Sequence, residues 1–317
     1  MTTRTDITLE DRLVEPRTLA PGDLRVLIPD FVRGLRARNL SPRTVGIYGD
    51  GSRLFVEFLL ESGFPTEAAK ITRDHVETFI ERQLADHKPA TACQRYNALA
   101  QLFKWLVDEG EITDTPMARM KRPRIPEELV PVLDDDALRK LLATASTKSF
   151  LDVRDMAIMR LFVDTGMRLG EMAGLKLEDI DRDHQTAYVM GKGRRPRVCP
   201  YGAKTATAID RYMRLRRNQT HARLDHLWIT RQGYATSSAI YRVIRERARA
   251  AGLGDVHPHQ LRHSAAHDNL AEGMSEGNVM MLMGWRSPAM LRPYGAAQAA
   301  NRAEAAFRQL GGHGDRL

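Results

Sequence analysis

Four prolines, Pro116, Pro123, Pro126 and Pro131, fall within sixteen residues in the stretch TPMARMKRPRIPEELVPV, between two long regions of helical periodicity. Proline has no N–H to donate, fixes its own φ, and pushes the residue before it out of the helical region. No helix can run through this stretch, so the chain must fold as two units joined by a linker. Its length of 317 residues agrees, being long for one core. The same stretch contains RMKRPR, with Arg119, Lys121, Arg122 and Arg124 in six positions. Two readings stay open: an ordinary solvated face, or a basic, proline-stiffened strap suited to a polyanionic duplex.

Ahead of the linker the pattern is all helical. Leu24, Leu27, Phe31 and Leu35 recur at helical spacing. Ser41-Pro42 is a helix start, with serine as N-cap and proline in the first turn. The helix it opens carries Val45, Tyr48, Phe55, Phe58 and Leu59, but also Gly46, Gly49 and Gly51. Each glycine costs about 1 kcal/mol relative to alanine. A weakened or broken helix is one reading; close approach of backbone to a ligand such as DNA is the other. Two further helices are predicted over ITRDHVETFIERQLAD and ATACQRYNALAQLFKWLVDEG, the second with Tyr96, Leu99, Phe103 and Leu106 on one face and Gly110 as its stop.

Beyond the linker, helices are expected at 134–145 and 151–164. In AYVMGKGRRPRVCPY, residues 187–190 and 197–200 read as short strands around a very basic turn, and a third strand is expected at 178–181. After Ala203 the pattern returns to helix throughout, in KTATAIDRYMRLRR, SSAIYRVIRERARAAG and LRHSAAHDNLAEG. The second unit is therefore mostly helical with one small antiparallel sheet.

Lys and Arg outnumber Asp and Glu 48 to 40, a net charge of +8 that suits a polyanionic partner, since neutralising phosphates releases counterions. The two cysteines, Cys93 and Cys199, are far apart, which argues against a disulfide framework or a cysteine zinc site and fits a reducing cytosol. MTTRTDITLEDRL does not read as a signal peptide, and runs such as LFVEFLL are too short to span a bilayer. A cytoplasmic protein with no membrane partner is expected.

Three stretches carry residues capable of chemistry. In DTGMRLGEM, Arg168 begins a helix after a glycine turn, with Glu171 three residues on. In HPHQLRHSAAH, His259 and Arg262 share a helical face. In GWRSPAMLRPYG, Tyr294, the last of eight tyrosines, stands nine residues after Trp285. Taken singly, each has a plainer explanation in a surface ion pair, a structural histidine or a packed tyrosine. Order and spacing carry the information.

Together, GMRLGE, the HxLRH stretch His259 to His263, and MGWRSPAMLRPYG resemble the boxes of the tyrosine recombinases, or phage integrase family. SPRTV, FKWLVDEG and the linker are similar, more loosely, to that family's core-binding domain, so the resemblance runs from about residue 23 to residue 295. It implies a mainly α fold: an N-terminal all-α, SAM-like core-binding domain and a C-terminal α+β catalytic domain, mostly helical with a small antiparallel sheet. The implied division is an arm at 1–21, a DNA-binding domain at 22–115, a basic linker at 116–132, a catalytic domain at 133–297 and a tail helix at 298–317. The resemblance further implies that Arg168 and Arg262 clamp a scissile phosphate, Lys192 acts from the sheet turn, Tyr294 attacks, His259 and Trp285 complete the site, and Glu171 supports it. Arg119, Lys121, Arg122, Arg124, Arg194 and Arg195 are the DNA-binding candidates. The implied partner is double-stranded DNA, bound as a homotetramer by a protein that is monomeric or weakly associated when free. No metal and no cofactor is implied.

The chemistry supports these roles. Arginine forks match the oxygens of a phosphodiester bidentately and stay charged. A phenol of pKa about 10 needs a base or a cationic field to attack at neutrality. His259 can take that proton, and Lys192, crowded by Arg194, Arg195 and Arg197, would have a lowered pKa and can supply one to the leaving 5′-oxygen. Trp285 can donate a hydrogen bond but not act as a base. Three rivals remain: a metal enzyme using the stripe His257, His259, His263 and His267; a non-catalytic DNA-binding adaptor of the same fold; and a type IB topoisomerase-like activity. Pro293, just before the tyrosine, departs from the family pattern. It predicts a helix start at Ser287-Pro288 that breaks near Arg292 and restarts at Tyr294. The tail is expected to form an amphipathic helix through Ala299, Ala303, Ala306 and Leu310.

Overall fold

The computed structural model describes residues 19–20, 22–126, 131–191, 195–294, 304, 307 and 308. The chain divides into two compact units, Met1–Glu127 and Glu128–Leu317.

The first unit is all helical: α1 (Leu24–Ala37), α2 (Pro42–Glu61), a 3₁₀ turn (Ala68–Lys70), α3 (Arg73–Asp86) and α4 (Pro89–Asp108). Its helices start where the capping residues stand. The Asp23 carboxylate accepts from the Arg25 amide, and Ser41 Oγ from the Thr44 amide. Leu24, Leu27, Phe31 and Leu35 are all buried, as their spacing predicts. At the centre, the Phe55 ring meets Phe79 and Phe103 edge-on, at 5.2 and 6.1 Å.

Helix α2 runs unbroken through its three glycines, and packing accounts for Gly49 and Gly51. A Cβ on Gly51 would lie 2.6 Å from the Ala98 Cβ of α4, and one on Gly49 3.1 Å from Val32 Cγ2 of α1. The glycines permit close helix packing, and that gain outweighs their propensity cost. Gly46 differs, with nothing within 4 Å. Past Gly110, which takes the left-handed conformation at φ 77°, the proline-rich stretch folds back on α4. The Tyr96 hydroxyl donates to the Met120 carbonyl at 2.9 Å, and Cys93 Sγ to that of Pro123 at 3.0 Å. Arg119, Lys121, Arg122 and Arg124 are exposed, with no ion-pair partner among the described residues.

The second unit contains α5 (Asp135–Ala143), α6 (Phe150–Thr165), α7 (Leu169–Gly174), β1 (Ile180–Asp181), β2 (Thr186–Gly191), β3 (Arg195–Pro200), α8 (Ala203–Arg216), β4 (Ile229–Thr230), β5 (Gly233–Tyr234), α9 (Ser237–Ala250), α10 (Pro258–Ala271) and α11 (Glu276–Met283), then a 3₁₀ helix, Pro288–Tyr294. Strands β1, β2 and β3 form an antiparallel sheet in that order, with Tyr188 opposite Val198. The core gathers around Trp228, Tyr212 and Phe162.

Three details correct the sequence reading. The strand expected at 178–181 begins as a 3₁₀ turn, Leu177–Asp179, and only Ile180 and Asp181 pair. The chain after Ala203 is not wholly helical, because β4 and β5 form a hairpin too short to show a period. The break expected near Arg292 is replaced by one 3₁₀ helix through Pro293. A tighter helix does not use the carbonyl four residues back, so the clash that proline makes in an α-helix does not arise. The amphipathic tail positions Ala299, Ala303, Ala306 and Leu310 lie outside the described residues. Among the described residues, no helix is long and apolar enough to cross a membrane.

Candidate active site

The candidate residues meet at the C-terminal end of α11. This helix stops at Gly284, whose φ of 61° is left-handed. The last carbonyls of any helix lack intrahelical donors, and together they carry a partial negative charge. Here three successive carbonyls are taken by arginines from three different elements. Arg197 of β3 donates from Nε to Leu282 O at 3.0 Å, Arg262 of α10 donates to Met283 O, and Arg168 at the N-cap of α7 donates to Gly284 O at 3.1 Å.

Each arginine is held elsewhere too. Arg262, 3% exposed, also donates to Gly166 O at 2.6 Å and lies over the Trp285 ring, 5.5 Å from its centroid. Gly166 is the left-handed cap of α6, at φ 54°, so Arg262 ties together the ends of two helices. Trp285 is buried and donates its backbone N–H to Met280 O at 2.9 Å.

Glu171 joins Arg168 to Arg197. Its carboxylate accepts from the Arg168 amide at 2.7 Å, from the Arg168 guanidinium at 2.9 Å, and from both terminal nitrogens of Arg197 at 2.7 Å each. Burial pushes the carboxyl up, but Arg197 and then the Arg168 amide and charge outweigh it and hold its pKa at about 2. The guanidinium of Arg197, counted above among the cations around Lys192, is turned onto Glu171 and Leu282, while Lys192 lies outside the described residues. The strand period accounts for this. Val198 is 46% exposed and Cys199 1%, so Arg197 shares the inward face of β3 with Cys199. That alternation was the available signal.

On α10, His259 lies in the first turn and its ring meets His263 edge-on at 4.5 Å. Partial burial, then Arg262, His257 and Arg168, lowers the pKa of His259 from 6.5. His263 is more deeply placed, and burial followed by the neighbouring His259 and Arg262 takes it to about 4. Both rings are thus neutral at pH 7, and His259 has the exposure to accept a proton. Among the described residues, no group of three or more His, Cys, Asp or Glu is arranged to hold a metal ion.

Lys192 and Arg194 lie outside the described residues, as does the side chain of Arg195, whose backbone pairs with Gly191. For Tyr294 and Pro293 the backbone alone is described; Tyr294 ends the 3₁₀ helix that begins three residues after Trp285. The structure thus brings Arg168, Glu171, His259, Arg262 and Trp285 together and adds Arg197.

Comparison with known proteins shows the family. Residues 131–301 match the model of the phage integrase family, and residues 28–110 that of the phage integrase N-terminal SAM-like domain. The chain is 28% identical over 265 residues to tyrosine recombinase XerD of Listeria monocytogenes serotype 4b, covering 81% of this chain and 89% of that one. It is 30% identical over 272 residues to tyrosine recombinase XerC of Roseiflexus castenholzii, covering 81% and 84%. Among solved structures, XerH recombinase bound to a palindromic difH substrate after cleavage shares the fold with a TM-score of 0.70 at 20% identity, over 90% of this chain and 85% of that one. A lambda integrase tetramer bound to a Holliday junction does so at 0.66 and 18%, over 90% and 83%. With one family model spanning more than half its length, the chain belongs to the phage integrase family and is a tyrosine recombinase.

Proposed function

We propose that this recombinase cuts and rejoins double-stranded DNA at a specific site through a covalent 3′-phosphotyrosyl link to Tyr294, without metal or ATP. The observation that carries the reading is the seating of Arg168 and Arg262 on neighbouring carbonyls, Gly284 and Met283, immediately before the segment that ends in Tyr294. Two guanidiniums fixed this way form a preorganised cationic site for a phosphodiester, requiring little rearrangement as charge develops. Arg168, with 38% of its side chain exposed, offers the accessible edge.

In the forward step the Tyr294 oxygen bonds to phosphorus and the P–O5′ bond breaks. The phenolic proton passes to neutral His259, and Lys192 supplies a proton to the departing 5′-oxygen. Attack by a 5′-hydroxyl on the phosphotyrosine reverses both changes, so bond energy is kept in the adduct. Glu171 supports Arg168, and Trp285 packs against Arg262. Residues 22–115 act as the DNA-binding domain and 133–297 as the catalytic one. Arm 1–21 and tail 298–317 flank them, and Arg119, Lys121, Arg122 and Arg124 of linker 116–132 bind the DNA backbone, joined by Arg194 and Arg195. Exchange of strands between two duplexes requires four sites and hence a tetramer on DNA, which is the state of the lambda integrase relative on a Holliday junction. The setting is the bacterial-type cytoplasm.

The test is incubation with the DNA flanking its own gene, followed by denaturation. A covalent protein–DNA adduct that maps to one junction, survives EDTA and is lost in Tyr294→Phe is expected. DNA binding without any adduct would instead identify an adaptor of the same fold.

A further inference from the structure

We propose that Arg197 is a positioning residue of the cleavage site, fixing Arg168 through Glu171 and fixing the end of α11 through the Leu282 carbonyl. The inference rests on the recombinase reading above and adds to it a residue whose role is indirect.

The donors of Arg197 are committed. Both terminal nitrogens bind Glu171 and Nε binds Leu282 O, and its side chain is 11% exposed. With all three nitrogens engaged in this way, it acts on its neighbours rather than on a DNA phosphate. Its contacts instead close a ring: Arg197 to Glu171, Glu171 to Arg168, Arg168 to Gly284 O, and Leu282 back to Arg197. The ring links β3, α7 and α11, the three elements that must keep register for Arg168 to face the same phosphate that Tyr294 attacks. The backbone is fitted to it, since a Cβ on Gly284 would sit 3.3 Å from both Cδ and a terminal nitrogen of Arg197. Lysine cannot substitute, because one ammonium cannot present a two-pronged fork to a carboxylate and a third donor to a carbonyl. Around the Glu171 carboxylate stand Arg168 on its own element, and Arg197 and the Cys199 thiol on β3. Loss of Arg197 would leave a buried carboxylate with one cation, and its pKa would climb from about 2.

The test uses the full chain and the DNA site mapped above, with single-turnover cleavage, DNA affinity and thermal melting measured together. Arg197→Met is expected to slow cleavage about 100-fold, as misplacement of a catalytic group does, with DNA affinity changed less than about threefold. Arg197→Lys should stay close to Arg197→Met, and Arg197→Met combined with Glu171→Gln should be no slower than either alone. The cleavage rate of Arg197→Met should also fall more steeply than that of wild type as pH drops from 7 to 5, beyond the fall that His259 protonation gives both, and Glu171→Gln should remove the excess. Should Arg197→Met not fold, Arg197→Lys, which keeps the stem and charge, carries the same comparisons. Wild-type cleavage by Arg197→Met or Arg197→Lys, or additive losses in the double variant, would overturn the inference while leaving the recombinase reading intact. Absence of any adduct from the unaltered protein would overturn both.

Discussion

The two units solve the problem of burial by different means. The N-terminal unit is held by apolar packing: Phe31, Phe55, Phe79 and Phe103 are all but inaccessible, and the only deeply buried charge among its described residues, Asp23, is satisfied by Arg25 and Thr66. The C-terminal unit buries guanidiniums. Arg216, 3% exposed, donates to the carbonyls of Ala222, Leu224, His226 and Leu227. Arg247 holds Asp152, Asp155 and the Thr144 carbonyl, and Arg154 bridges Asp155 and Ile229 O. Arg197 and Arg262 belong to the same class. A buried guanidinium is stable only when its donors are satisfied. Irregular chain rich in carbonyls meets that need and is organised by it in turn. The catalytic unit thus builds its site from the kind of contact that holds its loops.

If this contrast is right, the largest effect should come from Arg216→Met, which takes a donor from four carbonyls and leaves that of Leu227 with the Tyr212 hydroxyl. We expect a loss of about 3–5 kcal/mol in chemical denaturation, and nearly as much in Arg216→Lys. A loss below about 1 kcal/mol would break the contrast. In the N-terminal unit the sensitive positions should be those without polar atoms. Gly51→Ala is expected to cost about 2 kcal/mol through the Ala98 contact, despite alanine's better helix propensity. The effect of pH is of similar size. The Glu171 carboxyl goes from its ordinary 4.5 to about 2 on folding, so its stabilisation is complete above 4.5 and is lost as pH falls toward 2. Thermal melting should record a decline of roughly 2–3 kcal/mol across that window, flattened in Glu171→Gln. The smallest effect has the opposite sign: Gly46→Ala, with open space around it, should stabilise α2 by about 0.5–1 kcal/mol. A cost there comparable to Gly51→Ala would show that packing does not distinguish the two glycines.

The same contrast governs what could be read without a structure. Helices α1 to α4 are legible because apolar side chains recur at helical spacing and caps such as Ser41 mark the starts. The grouping of Arg168, Glu171, His259, Arg262 and Trp285 was legible only through the resemblance of three separated boxes, since nothing local shows that residues 168 and 284 meet. The arginine clamps were not legible, because their acceptors are backbone carbonyls that every residue possesses. The place of Arg197 was half visible, in its alternation with Cys199. The role of Gly49 and Gly51 was hidden for a related reason: their partners, Val32 and Ala98, are remote in sequence and carry no chemical mark.

The two left-handed glycine caps have a practical consequence for anyone refashioning this enzyme. Gly166 and Gly284 bring no functional group, yet a methyl on the first would collide with Met283 at 2.8 Å and on the second would press on Arg197. Libraries aimed at new target sequences that vary such silent positions will lose members to misfolding rather than to altered recognition. These positions are better treated as fixed tooling, held constant while diversity is directed elsewhere.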